Sequence, residues 1–446
     1  MSAVYYVQIK WNPIPSLSQT TATPKTNNMQ TLSPVQVNER EIFMDVLRGF
    51  AILGIFIANL NGLSWYSNDA KVTGPFLLPA WDHKMSFMHQ MFIEGKFYSI
   101  FSLLFGWGIA LQIKRGIANG INPMPTVKRR LLFMLLLGFM HLLIWNGDIV
   151  FFYALMSFLL LPLRKFSNKT LLITGAILIL SPILLYWLKM TWPVLNHPRE
   201  LLFLAGIKSE GALLNIKSEE EFMNFMHHGS WWDQLKGNIG GIFFRFQYLI
   251  FVSRVPKVLG MFLIGYVLGR SDFYKNIGQH KKLVYWIIGI GLILGLPANY
   301  MLANYMSTDM GDYWQLKTKG LYQTIAYALG VVPLSLAYVG LFMLSFQSSA
   351  GKKILSVLAP VGKMAFSNYI MHSLIGNFVF LGAGLGYMGQ VGPVYFTLFG
   401  IAVFIVQIIL STIWLRYFNY GPVEWLWRSA TYKKWQQLQK KNNLTL

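Results

Sequence analysis

Long apolar runs separated by short polar stretches set the pattern of this chain. The runs at 131–143, 171–188 and 401–414 neither alternate nor confine their apolar residues to one stripe. A helix needs roughly 20 mostly apolar residues to cross about 30 Å of hydrocarbon. Only helices and closed barrels satisfy their backbone groups there, and barrel strands alternate in and out. The pattern therefore predicts an all-α, polytopic transmembrane helical bundle with about ten spans. These are placed at 42–62, 97–113, 129–146, 148–163, 170–188, 255–269, 283–303, 320–345, 364–386 and 393–415. The third and fourth are joined by only a few residues around Asn146-Gly147-Asp148, which predicts a tight hairpin.

The segment 189–253 divides the predicted spans into two five-helix halves. It mixes Glu219, Glu220 and Glu221 with Trp231, Trp232 and several Phe, a composition suited to amphipathic helices on the interface. Residues 1–38 are rich in Thr, Ser, Asn, Gln and Pro and read as a disordered cytoplasmic tail. The transmembrane domain takes 39–432, and 433–446 form a basic cytoplasmic tail. No internal repeat is evident.

Composition agrees with the pattern: 54% of residues are hydrophobic and 12% charged, against about 25% charged in a soluble domain. The formal net charge is +21. Nucleic acid would explain that in a soluble protein. In a membrane protein, positive charge collects in cytoplasmic loops and beside anionic lipid, so the expected partner is the bilayer, not nucleic acid. With the N-terminus inside, the inner segments hold 24 Lys and Arg and the outer ones 11. Both termini are expected inside a bacterial cytoplasmic membrane. The absence of cysteine excludes a disulfide framework, a thiolate metal site and a cysteine nucleophile. Asp82, His83 and His89 lack the spacing of a clean metal site, and no metal is expected.

Charged and polar groups inside spans are costly and need a reason. Asp45 and Arg48 are three apart on one helix face and can pair. Asn59 follows Asp45 by about 21 Å of helix, near the far end of the same span. His141 precedes the predicted hairpin, and Asp148 can cap the helix after it. By depth, Asn59, His141 and Asp148 belong near the outer face, while Asp45, Arg48, Arg129, Arg130, Glu424 and Arg428 belong near the inner one. Asn368 and His372, one turn apart, either line a cavity or bond between helices. Glu424 and Arg428 have the spacing of a helical ion pair. The small residues within Lys96 to Gly108 suggest close helix approach.

Four blocks resemble the YeiB-like family of bacterial membrane proteins of unknown function. They are Asp45-Val-Leu-Arg48-Gly49 with Asn59; Lys96-Phe97 through Phe105-Gly106; Gly138-Phe-Met-His141 through Gly147-Asp148-Ile149; and Gly421-Pro-Val-Glu424-Trp-Leu-Trp-Arg428. The first block is also similar to transmembrane acyltransferases such as heparan-α-glucosaminide N-acetyltransferase. That group's loop histidine has no counterpart at matching spacing, His83 being the nearest, and His372 stands where its pattern has Gln. The resemblance implies acyl-CoA as co-substrate, with its phosphates met by Arg48, Arg129 or Arg130 beside Asp45. His141, held by Asp148, would take a proton from an envelope glycan or glycolipid acceptor, and Asn59 would donate to the oxyanion. Asn368, His372, Glu424 and Arg428 are further pocket candidates. A solute transporter and a non-catalytic membrane partner are the alternatives that buried polar groups equally allow.

Overall fold

The computed structural model describes residues 42–66, 74–271, 273–308 and 310–440. The predicted 1–38 tail and residues 441–446 of the basic tail lie outside them. Among the described residues the chain is helical, with two isolated bridges, Phe76–Val391 and Phe418–Gln439, in place of strands. In chain order the helices begin with α1 (Ile42–Ser64), α2 (Pro79–Phe92), α3 (Lys96–Ala118), α4 (Met124–Ile144), α5 (Val150–Leu163) and α6 (Asn168–Thr191). The divider holds α7 (His197–Leu214), α8 (Glu219–His228) and α9 (Trp231–Phe251). Then come α10 (Arg254–Arg270), α11 (Ile277–Thr308), α12 (Met310–Trp314) and α13 (Thr318–Ser345). The last are α14 (Ser349–Leu355), α15 (Ala359–Lys363), α16 (Ala365–Phe380), α17 (Pro393–Tyr417) and α18 (Pro422–Tyr432).

A helix stands at each of the ten predicted stretches, yet fewer qualify as full crossings. Six do so by length and apolarity: α1, α2 with α3, α6, α11, α13 and α17. The count rises to eight if two bent pairs each cross once: α9–α10, bent by 70°, and the α14–α15 segment with α16, bent by 73°. The α4–α5 hairpin falls short for two reasons. Lys128, Arg129 and Arg130 interrupt the start of α4, and α5 has only 14 residues. The predicted outer loop before Lys96 contains the helix α2, whose break from α3 turns on Gly95 at φ +81°.

Burial sorts the helices. The apolar window of α1 is 67% buried and packs against α3, α15, α16 and α17, whereas that of α17 is only 22% buried. Leu398, Ile405 and Ile409 on α17 therefore face outward, as an apolar surface meant for lipid does. Helices α3 and α10 touch backbone to backbone. A Cβ on Gly106 would meet the Phe262 carbonyl, and one on Gly265 the Leu103 carbonyl, which accounts for the small residues of α3. At the α9–α10 break Ser253 takes φ +51°. The Lys189 ammonium donates to the carbonyls of Ile250 (2.8 Å) and Phe251 (2.9 Å), adding a donor where the helix breaks.

The connecting segments gather at two ends. At one, Arg270 donates to the carbonyls of Arg164 and Phe166, Trp427 donates to that of Arg130, and Phe43 stacks on Tyr274. At the other, Gly382 donates to the Met226 carbonyl and Gly389 to that of Ser64. They are called the α18 end and the α8 end below. The grouping matches the alternation used for the Lys and Arg count.

Candidate functional site

The turn between α4 and α5 is tied down by side chains from distant helices. A helix terminus leaves its last carbonyls unpaired, and here Asn238 of α9 donates to Leu143 and Ile144, both at 2.9 Å. Asn377 of α16 also reaches Ile144, at 2.7 Å. Arg245 of α9 donates to the carbonyls of Gly147 (3.2 Å) and Asp148 (2.9 Å).

The anchored turn presents Asp148 to His141. Asp148 Oδ2 accepts from the Phe151 amide at 2.7 Å, capping α5, while Oδ1 lies 2.7 Å from His141 Nδ1. The second imidazole nitrogen, Nε2, is 3.0 Å from the Ser373 hydroxyl on α16. All three side chains are buried, each about 1% exposed. A carboxylate on one ring nitrogen fixes the tautomer and the orientation of the ring. The set has the connectivity of a Ser–His–Asp relay.

Two cavities approach this relay from opposite ends. The one toward the α8 end encloses about 1160 Å³ and is lined by Asn59, Tyr98, Trp145, Asn146, Asn377 and the side chains of α7–α9. Glu94 and Glu210 face Lys217, Arg245 and Arg254 within it. Among the described residues, four of its polar atoms are buried without a protein partner: Asn59 Nδ2, Asn146 Oδ1, Arg245 Nε and Asn377 Oδ1. Burial pushes the Glu210 carboxyl up to about 7.

The cavity toward the α18 end encloses about 510 Å³. Among the described residues, Arg48, Lys114, Arg115, Arg130, Lys275, Lys363 and Arg428 line it against the single carboxylate of Glu424. Among the described residues lining the two cavities only Ile149 is common to both, and it directly follows Asp148. The His141 ring is flanked by Trp145, at 6.3 Å between centroids, and by Tyr369, at 5.0 Å. Trp145 lines the α8-end cavity and Tyr369 the α18-end one. The imidazole thus sits behind the walls of both.

The predicted residues divide accordingly. Arg48, Arg130, Glu424 and Arg428 converge on the basic cavity. Asp45 stands behind Arg48, paired with it at 3.0 Å. Arg129 does not join them: its Nε donates to the Thr431 carbonyl, so it clamps α18. Glu424 does not rely on Arg428 for a partner. Its oxygens accept from the amides of Phe366 (2.7 Å) and Ser367 (3.1 Å) and from the Ser367 hydroxyl (2.5 Å), capping α16 across the 73° bend. Asn59 opens into the α8-end cavity, whereas His141 and Asp148 lie behind its wall rather than in it. Asn368 and His372 line neither cavity. Asn368 bonds Ser411 at 3.1 Å, and His372 bonds Gln407 at 2.7 Å and stacks on Phe56 at 3.8 Å, fastening α16 to α17 and α1.

Sequence reasoning missed Ser373, Arg245 and Arg254. Ser373 carries no signal beside the more conspicuous His372. Arg254 and Lys257 did carry one, as cations at the start of the apolar 254–270 helix.

The family model for a protein of unknown function (DUF418) matches residues 268–434, a region that includes Ser373 and Glu424 but not His141 or Arg130. The chain is 32% identical over 431 residues to the uncharacterized protein YxaH of Bacillus subtilis (strain 168), covering 93% of this chain and 100% of that protein. It is 28% identical over 409 residues to the uncharacterized protein YeiB of Escherichia coli (strain K12), covering 88% and 96%. An uncharacterized 39.9 kDa protein in the amylase 3′ region of Bacillus acidopullulyticus is 28% identical over 413 residues, covering 90% and 97%. No solved structure matches the chain.

Proposed function

We propose, from the premise that the chain belongs to the YeiB-like (DUF418) family of multi-pass membrane proteins, that it is a transmembrane acyltransferase. It moves an acyl group from cytoplasmic acyl-CoA to a hydroxyl or amine of an envelope glycan or glycolipid. The supporting observation is the pair of opposed cavities whose linings share only Ile149, next to the carboxylate that holds His141.

In this reading the α18 end faces the cytoplasm of a bacterial inner membrane, as the excess of Lys and Arg favours. The diphosphate and 3′-phosphate of CoA bind among Arg48, Arg130 and Arg428, whose forked guanidiniums suit phosphate. The thioester extends toward Ile149, and the acceptor lies in the α8-end cavity. Movement of the Ile149–Tyr369 partition brings the two together. The acceptor oxygen or nitrogen attacks the thioester carbonyl, a C–O or C–N bond forms, and the C–S bond breaks. His141, oriented by Asp148, takes the acceptor's proton and returns it to the CoA thiolate. Asn59 Nδ2, which lacks a protein partner, donates to the oxyanion of the tetrahedral intermediate.

A thermal-shift titration of the detergent-purified chain with acetyl-CoA, succinyl-CoA and plain CoA tests the reading. A ligand that binds only the folded state raises apparent stability with RT ln(1 + [L]/Kd). A saturable rise that is lost in Arg130→Gln is the expected result. No rise with any thioester, in protein shown to be folded, sinks it.

One observation favours a solute transporter instead: the two sharply bent helix pairs flank cavities that open to opposite ends, as interrupted helices do in transporters. Solute flux in proteoliposomes that depends on His141, without any thioester response, would select that reading.

A further inference from the structure

The α8-end cavity holds two guanidiniums that the transfer chemistry above does not use. Arg245, near the end of α9, and Arg254, the first residue of α10, line it on either side of the 70° break. Tyr248 stands between them. Its hydroxyl accepts from Arg254 Nη2 at 3.2 Å, and its ring lies 6.0 Å from the Arg245 guanidinium carbon. The carbonyls of Gly147 and Asp148 hold Arg245 by its Nη2, while its Nε is buried with no protein partner. Arg254 rests 4.2 Å over the Tyr98 ring.

Neither arginine has a carboxylate at ion-pairing distance among the described residues; Glu94 and Glu210, in the same cavity, stay beyond it. Cations placed in an apolar bundle without a matching anion are costly, and a bound anion offsets that cost. The same lining also includes exposed apolar side chains: Trp65 and Ile207, each 50% exposed, and Phe203, 46% exposed. An occupant that satisfies both features has an anionic head and an apolar remainder.

We propose that this cavity binds the phosphate of an amphiphile, a phosphate-bearing lipid head group, with phosphate oxygens on Arg245 Nε and the Arg254 guanidinium. Two planar forks set across a helix break suit a tetrahedral oxyanion. The inference rests on the acyl-transfer reading only for the role of that lipid, which makes the acceptor a phosphate-linked glycolipid. The binding itself stands without it.

The test uses the full chain in neutral detergent, titrated with short-chain phosphatidylglycerol, with phosphatidylcholine of the same chains and with inorganic phosphate. Thermal shift is the readout. Phosphatidylglycerol is expected to give a saturable rise well above the other two. Arg245→Gln and Arg254→Gln are each expected to weaken it by about tenfold or more, the loss of a charged hydrogen bond, with the succinyl-CoA response unchanged. Should Arg254→Gln fail to fold, Arg254→Lys keeps the charge, loses the fork and gives a partial loss. Equal responses to both lipids, or an unchanged phosphatidylglycerol affinity in the folded variants, overturn the proposal. An inorganic phosphate response matching that of phosphatidylglycerol overturns the lipid assignment in favour of a free phosphate. A phosphatidylglycerol response with no CoA response leaves this site standing and removes the transfer reading.

Discussion

The two cavities differ in how they can select an occupant. Among the described residues, the α18-end cavity sets seven basic side chains against one carboxylate, and that carboxylate is committed to capping α16. The α8-end cavity is more than twice as large, mixes acids with bases and is lined by residues whose buried amide atoms lack protein partners among the described residues, a donor at Asn59 and acceptors at Asn146 and Asn377. The first selects by charge, which acts at a distance and tolerates misalignment. The second selects by placed donors and acceptors, which reward only a matched shape. Under the acyl-transfer proposal, the basic end would take the polyanionic carrier and the other end the acceptor. The His141 relay between them belongs to neither.

Substitution of the relay should give the largest effect and break the comparison at its centre. His141→Asn is expected to cut acyl transfer by about 10²–10⁴, the usual worth of a general base, while both ligand responses survive in thermal shift. Asp148→Asn serves as the second variant, because it keeps a side chain able to cap α5. Loss of either ligand response with His141→Asn would make the relay a structural tie instead.

Adjacent arginines sharpen the charge argument. Arg130→Gln is expected to weaken CoA by roughly tenfold or more. Arg129→Gln should leave CoA affinity alone and loosen α18, seen as faster proteolysis of the C-terminal segment, since its contact is the Thr431 carbonyl. Raising salt should weaken CoA more than an uncharged acceptor. Equal losses in the two variants would show that general surface charge, not the cavity, attracts CoA.

Helix α3 walls both cavities, with Phe97 and Tyr98 on one and Phe101 and Phe105 on the other. Gly106→Val drives a side chain into the Phe262 backbone and should cost about 1–3 kcal/mol, as overpacking does. Both ligand responses should shrink together. A change in one alone would show that the cavities are mechanically independent.

The smallest expected effect is the pH response of Glu210. Its carboxyl is pushed up to about 7 by burial, so the folded protein holds a proton that the unfolded chain has released. Stability from this group is present in full below the unfolded value near 4.5 and is lost as pH rises through about 7. The melting temperature of Glu210→Gln should therefore fall less than that of the parent between those pH values. Parallel profiles would place the carboxyl in water.

Much of this architecture is legible along the chain because burial in lipid is recorded residue by residue. Apolar runs located α1, α3 to α6, α10, α11, α13, α16 and α17, though not α2, α7 or α9, and Asn146-Gly147-Asp148 located the hairpin. The spacing of Asp45 and Arg48 announced their pair. Crossing number was less legible, because bends at Ser253 and Met364 and the break at Gly95 leave the local hydropathy intact. Arg129 and Arg130 are indistinguishable by composition, yet one step of about 100° around a helix sends one to the α18 backbone and the other to the cavity.

What the sequence by itself determined is the class of the protein, its helical segments and the grouping of its connections at two ends. Each follows from a local transfer cost that a residue carries wherever it packs. Tertiary structure alone decided which polar groups meet: Ser373 with His141 across 232 residues, Glu424 with the start of α16, and Arg245 with the turn that presents Asp148. Hydrogen bonds act over about 3 Å. Partnership between helices therefore depends on how they pack, and no spacing along the chain records it.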